Sequence, residues 1–247
     1  MKVVVIGGTG LIGSKLVGKL GEHGHEAVAA APNTGVNTLT GEGLAEVLEG
    51  AAVVVDVSNS PSFADEPVME FFRTSTTNLL ECAAKAGVGH YVALSVVGTD
   101  RMLESGYFRA KSVQERLIRE SGQAYSIVHA TQFFEFVKTI ADISTVDGVV
   151  HLPPGLIQPM AAEDVAAGLG HVAIGQPVNG LREIGGPEQY QLPELVRKGL
   201  AAKGDPRDVV VDEQATYYGV RLSERTLLPG PDARLGEITF DKWLAQQ

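Results

Sequence analysis

Apolar residues in the first two-thirds of the chain follow two alternating rhythms. Short runs rich in Val, Ile and Ala, at residues 3–6, 27–31, 52–57, 90–94 and 125–129, lack polar alternation. Their length and composition predict strands buried on both faces. Between them, apolar positions recur every three to four residues. Over 11–22, Leu11, Ile12, Leu16, Val17 and Leu20 fall on one face, which predicts an amphipathic helix. Similar spacing predicts helices at 44–49, 68–86 and 109–121, with Gly87 and Gly122 as stops. Strands separated by helices predict a parallel sheet covered on both sides, the doubly wound α/β class.

The rhythm changes near residue 149. Pro153, Pro154 and Pro159 break the chain, and helices at 163–174 and 193–203 alternate with short strands at 181–184 and 209–211. The expected organisation is a core over residues 1–150 and a smaller C-terminal lobe over 151–247. The lobe is expected to fold over the sheet's carboxyl edge within the same domain.

Composition narrows the field. With 44% hydrophobic and 20% charged residues, the chain can bury a sizeable core. A net charge of −10, without a cluster of Lys and Arg, argues against nucleic acid as a partner. No apolar run approaches the roughly 18–20 residues that span a bilayer, and the apolar stretch after Met1-Lys2 is too short for a signal peptide, so none is expected. The lone Cys82 has no partner for an internal disulfide, so a cytoplasmic location is expected. The six histidines lack paired metal-ligand spacing, and no metal is expected.

The first strand runs into Gly7-Gly8-Thr9-Gly10-Leu11-Ile12-Gly13, which opens the first helix. A loop that receives a pyrophosphate needs glycine for a tight turn, for close backbone approach and for packing of helix on strand. The free N–H groups and positive dipole end of the helix then face the anion. Gly7, Gly10 and Gly13 are the expected turn, approach and packing positions, with Thr9, Leu11 and Ile12 beside the phosphates. A dinucleotide cofactor is therefore expected. The second strand ends in Ala29-Ala30-Ala31-Pro32-Asn33-Thr34, without the carboxylate that usually holds the ribose 2′-hydroxyl of NAD. Nothing there repels a 2′-phosphate, and Asn33 and Thr34 offer neutral hydrogen bonds. NADP is expected, with NAD the alternative.

Tyr107 and Lys111 stand four residues apart, on one face if their helix begins near Tyr107. Ser95 closes the strand at 90–94, at the carboxyl edge where such sheets bind ligands. A tyrosine can pass a proton to a carbonyl oxygen as hydride arrives at the carbon. A nearby ammonium stabilises phenolate, and lowering the tyrosine pKa by two or three units takes roughly 3–4 kcal/mol. A serine hydroxyl can position the same oxygen.

With these motifs the chain resembles the short-chain dehydrogenase/reductase superfamily, in its atypical or extended NmrA-like branch, over nearly its whole length. The resemblance implies a Rossmann fold with Ser95, Tyr107 and Lys111 as the catalytic set and Lys111 also holding the nicotinamide ribose. It places Ser58, Asn59 and Ser60 along the cofactor's ribose side and Ala130, Thr131 and Gln132 near the nicotinamide. Gln132, with Phe133, Phe134 and Phe136, is expected to line a pocket for a small apolar substrate bearing a ketone, quinone or imine. Residues 159–165 and 184–188 resemble structural segments of extended members. The branch often carries a basic residue for NADP where this chain has Pro32-Asn33. The expected function is an NADP-dependent oxidoreductase. A non-catalytic NADP-sensing regulator is the alternative, and an NAD-retaining epimerase or dehydratase a third.

Overall fold

A computed structural model describes all of residues 1–247. The first half alternates as the apolar pattern requires: β1 (Lys2–Ile6), α1 (Leu11–Glu22), β2 (Glu26–Ala30), α2 (Leu44–Leu48), β3 (Val53–Asp56), α3 (Asp65–Ala86), β4 (His90–Val96), α4 (Gly106–Glu120) and β5 (Tyr125–Ala130). The remainder comprises α5 (Val137–Ile143), β6 (Thr145–Val146), β7 (Val149–Leu152), β8 (Leu156–Ile157), α6 (Ala162–Ile174), β9 (Gly180–Gly185), β10 (Tyr190–Gln191), α7 (Leu192–Ala202), β11 (Val209–Val211), β12 (Arg234–Leu235) and α8 (Phe240–Leu244). None of the helices is long and apolar enough to cross a membrane.

The main sheet has seven strands in the order β12-β9-β5-β4-β3-β1-β2, all parallel. Its run of valines is explained by two faces. Val3, Val5, Val53, Val55, Val92 and Val128 pack under α1 and α6, while Val4, Ile6, Val54, Tyr91 and Ile127 pack under α2, α3 and α4. Successive side chains point to opposite faces, so a strand covered twice must be apolar throughout. Full burial of each such side chain contributes roughly 1.5–3 kcal/mol. The order in which strands are added reverses at β1, with β2 on one side and β3 on the other, and this switch opens a crevice at the carboxyl edge.

The strand expected at 181–184 in the smaller lobe is instead the sixth strand of the main sheet, paired with β5. Only Ile184 and Gly185 of it are fully buried, because its outer neighbour β12 is two residues long. Its exposed Leu181 and Arg182 therefore look unlike the inner strands. The helix expected at 109–121 begins three residues earlier, at Gly106, and so includes Tyr107. Beyond the sheet, α5, α7, α8 and the small strands, together with Met102 and with Phe108 of α4, form a further core of 20 buried residues that includes Phe134, Leu195, Phe240 and Trp243. That core is larger than either sheet-face cluster, of 17 and 15 residues.

Candidate active site

The loop after β1 leaves no room for side chains. Gly7 has φ of +77°, and its backbone N–H donates to Ala30 O at 2.8 Å. A β-carbon on Gly13 would lie 2.2 Å from Gly7 O and 2.7 Å from Gly8 Cα. One on Gly10 would meet only Gly7 O, at 3.3 Å, leaving its outer side open to a ligand. Gly8 is a fourth obligatory glycine that spacing alone did not single out. Its β-carbon would strike Ala29 Cα at 2.6 Å, because β2 runs directly beside the loop. Gly10 caps α1 without a side-chain hydrogen bond, and no acidic residue stands in the first turn. Leu11 and Ile12 open that turn. The helix end is thus free to receive an anion.

Beside the loop, Thr9 Oγ1 donates to Asn33 Oδ1 at 3.0 Å. Thr34 is largely used by its own turn: its hydroxyl accepts from Ala31 N at 2.9 Å and bonds back to Ala31 O. Of the pair expected at the ribose, Asn33 therefore keeps the freer groups. Across the crevice, Ser58 is fastened through both N–H and Oγ to Asp56 Oδ1, at 3.0 and 2.6 Å. Asn59 accepts from Ser60 N, and Ser60 Oγ from Ser62 N.

Asp56 and Gln114 join the candidate site through Lys111, and motif reading missed both. Lys111 is 2% exposed, donates to Leu94 O at 2.8 Å and to Gln114 Oε1, and lies 4.5 Å from the centre of the Phe72 ring. Gln114 Nε2 in turn donates to Asp56 Oδ2 at 3.0 Å. A buried chain thus runs from Lys111 through Gln114 to the end of β3. Burial pushes the Lys111 pKa down to about 8, and the negative charges of Asp56 and Glu115 oppose that fall.

Tyr107 packs against Phe63, Phe72 and Phe108, with ring centres 5.4, 6.0 and 5.4 Å away. Burial first, and then the neighbouring Tyr218, raise its hydroxyl pKa above the ordinary tyrosine value. The expectation of a pKa lowered by Lys111 is not met in this arrangement, because the ammonium is turned to Leu94 and Gln114. Tyr107 therefore stays protonated at neutral pH.

Ser95 also differs from expectation. Its hydroxyl donates to Glu115 Oε1 at 2.6 Å, and the same oxygen meets His129 Nε2 at 2.6 Å. The single proton of Ser95 is committed, so the residue can offer lone pairs but not an oxygen-positioning donor. Arg119 holds the other Glu115 oxygen at 2.7 Å. Burial works against ionisation of Glu115, yet the hydrogen bonds from His129 and Ser95 and the charge of Arg119 bring its pKa down to about 2. A carboxyl depressed on folding stabilises the fold above its unfolded pKa, and that contribution is lost as pH falls through the folded value. Thermal melts between pH 5 and 2 are expected to show wild type losing on the order of 2 kcal/mol more than Glu115→Gln. Equal losses would remove Glu115 as an acid-sensitive support.

After β5 the chain continues at the carboxyl edge. Thr131 and Gln132 are buried, and neither Thr131 Oγ1 nor either amide atom of Gln132 has a protein partner. Phe133 and Phe136 stack at 5.5 Å, with Phe136 43% exposed. Phe134, expected on the pocket wall, is 1% exposed and packs between Phe240 and Trp243. It belongs to the core, because the short helical turn at Phe134–Phe136 points it away from its neighbours.

A parallel sheet with a glycine loop at the reversal of strand order, a free helix N-terminus beyond it and orphaned polar groups along the same edge defines a dinucleotide-binding Rossmann-type protein. The chain belongs to the NAD(P)H-binding family, which it matches over residues 7–166. It is 27% identical over 221 residues to a (4-alkanoyl-5-oxo-2,5-dihydrofuran-3-yl)methyl phosphate reductase of Streptomyces griseus, covering 80% of this chain and 75% of that protein. It is 24% identical over 149 residues to the photosystem II assembly factor Ycf39 of Cyanophora paradoxa, covering 55% of this chain. The chain spans about half the length (46%) of that factor.

Solved structures share the fold. A dTDP-glucose 4,6-dehydratase from Streptomyces venezuelae with NAD bound superposes with a TM-score of 0.72 at 19% identity, over 100% of this chain and 95% of that one. UDP-glucose 4-epimerase of Thermus thermophilus, in complex with NAD, gives 0.70 at 18% identity, covering 92% of each chain. The protein is thus an NAD(P)-binding member of an oxidoreductase-type fold.

Proposed function

We propose that the protein is an NADP-preferring oxidoreductase that moves hydride to or from the carbonyl carbon of a small apolar substrate. The observation that carries this reading is Tyr107 one helical turn before the buried Lys111, at the carboxyl edge that bears the phosphate loop. The nicotinamide ring, when bound, supplies or accepts the hydride. Gly7, Thr9, Gly10, Leu11, Ile12 and Gly13 hold the pyrophosphate. Asn33 faces the adenine ribose, with Thr34 shaping its turn, and Ser58, Asn59, Ser60, Ala130 and Thr131 line the remainder. Lys111 anchors the nicotinamide ribose. Tyr107 gives its proton to the carbonyl oxygen, and Ser95, which donates its own proton to Glu115, stands behind it in the catalytic set. Gln132 and Phe133 are assigned to the side that takes a small apolar ketone or imine. The S. griseus relative supports reductase chemistry by its name.

The preference for NADP rests on Ala30-Ala31-Pro32-Asn33, which sets no carboxylate against a 2′-phosphate. Following nicotinamide absorbance with NADPH, then NADH, against a panel of ketones, quinones and imines tests both points. Turnover at least tenfold more efficient with NADPH is expected. Equal efficiency would remove the preference, and silence across the panel would count against the enzyme. The second reading is a dinucleotide-sensing assembly or regulatory protein, favoured by the match to the assembly factor. It predicts a protein partner whose affinity changes with cofactor redox state.

A further inference from the structure

Beside Tyr107, the hydroxyls at the end of β4 have no proton to spare. Ser95 spends its own on Glu115 Oε1 at 2.6 Å, and Thr99 spends its own on Val96 O at 2.7 Å. A second donor for a substrate oxygen must come from elsewhere, and the C-terminal lobe brings one. Residues 217–229 lie along the carboxyl edge. Arg101, in the loop between β4 and α4, donates to Arg225 O at 3.4 Å and to Leu228 O at 3.3 Å, and Pro229 packs beside Gly185 at the end of β9. The segment begins in a tight turn. Tyr217 N donates to Val220 O at 2.8 Å and Val220 N to Tyr217 O at 3.0 Å, which closes a two-residue hairpin over Tyr218 and Gly219. Both central residues have positive φ, +49° and +82°. Such a turn favours Asn or Gly where Tyr218 stands, and a bulky residue there is strained. Strain kept at one position points to a use for its side chain.

The surroundings of Tyr218 show what that use is. Its ring meets Tyr217 edge-on, with centres 4.8 Å apart, and packs on the same core that Tyr107 borders. Tyr107 and Tyr218 are near enough for the charge of one to act on the other. The hydroxyls of Tyr91 and Tyr190 donate to Asp56 and Glu188. Those of Tyr107 and Tyr218 have no such partner, and burial keeps both protonated at neutral pH.

We propose that Tyr218 is a substrate-binding residue that donates to the same carbonyl oxygen as Tyr107 and so selects ketones over imines. The inference rests on the oxidoreductase reading and deepens it. A ketone oxygen has two lone pairs and accepts from both phenols. A neutral imine nitrogen has one lone pair, and a protonated imine has none. Tyr107 passes its proton to the oxygen as hydride reaches the carbon, which turns C=O into CH–OH. Tyr218 keeps its proton, and its hydrogen bond strengthens as charge grows on the oxygen.

The test compares wild type and Tyr218→Phe on ketones and cyclic imines, with α-tetralone and dihydroisoquinoline as the matched pair. The variant keeps the ring and the turn and removes only the hydroxyl. It is expected to lose about a hundredfold in kcat/KM for ketones. Its imine rate, melting temperature and NADPH dissociation constant should stay within about twofold of wild type. Calorimetric binding of α-tetralone to the NADP⁺-loaded protein, where no hydride can move, should weaken about fivefold. If wild type reduces ketones alone, those two ketone readouts decide. The inference is overturned if Tyr218→Phe reduces ketones at the wild-type rate, if it loses ketones and imines alike, or if wild type reduces only imines. Each of these leaves the reductase reading standing. A wild type inert toward every ketone, quinone and imine overturns that reading, and the inference with it.

Discussion

Gly13→Ala is expected to abolish measurable NADPH binding, weakening it at least a hundredfold, and to lower the melting temperature by about 3–10 °C. The new methyl would stand 2.2 Å from Gly7 O, 2.7 Å from Gly8 Cα and 2.8 Å from Gly7 C. All three are backbone atoms, so no rotamer change relieves the clash. The loop cannot yield either, since Gly7 N is bonded to Ala30 O and Gly7 O to Gly10 N. The helix must therefore lift from the strand, and with it the N–H groups aimed at the phosphates. Gly10→Ala separates binding from folding. Its methyl meets only Gly7 O, at 3.3 Å, so the melting temperature should hold while NADPH affinity drops about tenfold. Gly18→Ala, inside α1 with nothing within 4 Å of the added carbon, should stabilise by roughly 0.5–1 kcal/mol and leave binding alone. Calorimetric titration beside thermal melts of the three variants decides the matter. Retention of NADPH affinity by Gly13→Ala would remove the loop from the cofactor site.

What could be read in the sequence follows from the range over which each signal acts. The α1 bounds, Leu11–Glu22, emerge from spacing because the helix is amphipathic and begins where the glycines end. The start of α4 does not, since Gly106 and Tyr107 lack an apolar repeat and are helical through packing on α3 and Phe72. Gly7 and Gly13 fit a local spacing, while the need for Gly8 arises from Ala29, twenty-one residues away and brought alongside by β2. The same holds for polar clusters. Asp56 looks like one more strand-end residue, and Gln114 and Glu115 like a solvated helix face, until α4 is laid on the sheet. Folding then joins Lys111, Gln114 and Asp56 in one chain and Ser95, Glu115 and His129 in another. Those contacts span between 3 and 58 residues, and no periodicity encodes the longer ones. Phe134 shows the opposite error, an aromatic whose composition fits a pocket and whose geometry assigns it to the core.

Replacement of Tyr107 by Phe is expected to cut turnover by about 10²–10⁴-fold while leaving the NADPH dissociation constant within about twofold. The ring keeps its packing on Phe63, Phe72 and Phe108, and only the proton donor is lost. Lys111→Met should differ by losing both turnover and cofactor affinity, because the proposed mechanism uses the ammonium as both charge and anchor. The pH dependence gives an independent sign. With a pKa brought down to about 8 by burial, Lys111 is charged below pH 8 and neutral above it. Turnover in the reductive direction should accordingly fall tenfold per unit above about pH 8, and the limb should be absent from whatever activity Lys111→Met retains. Stability should move the other way. An unfolded lysine keeps its proton up to an ordinary 10.5, so between about 8 and 10.5 the unfolded chain binds more protons than the folded one. Folding is then favoured as pH rises through that window, and wild type should gain stability there relative to Lys111→Met. A buried charge that costs stability at neutral pH, in a site where it aids turnover, is the signature expected of a functional lysine. A Tyr107→Phe enzyme at full rate, or a wild-type rate flat from pH 7 to 10, would leave Tyr107 and Lys111 as packing residues of α4.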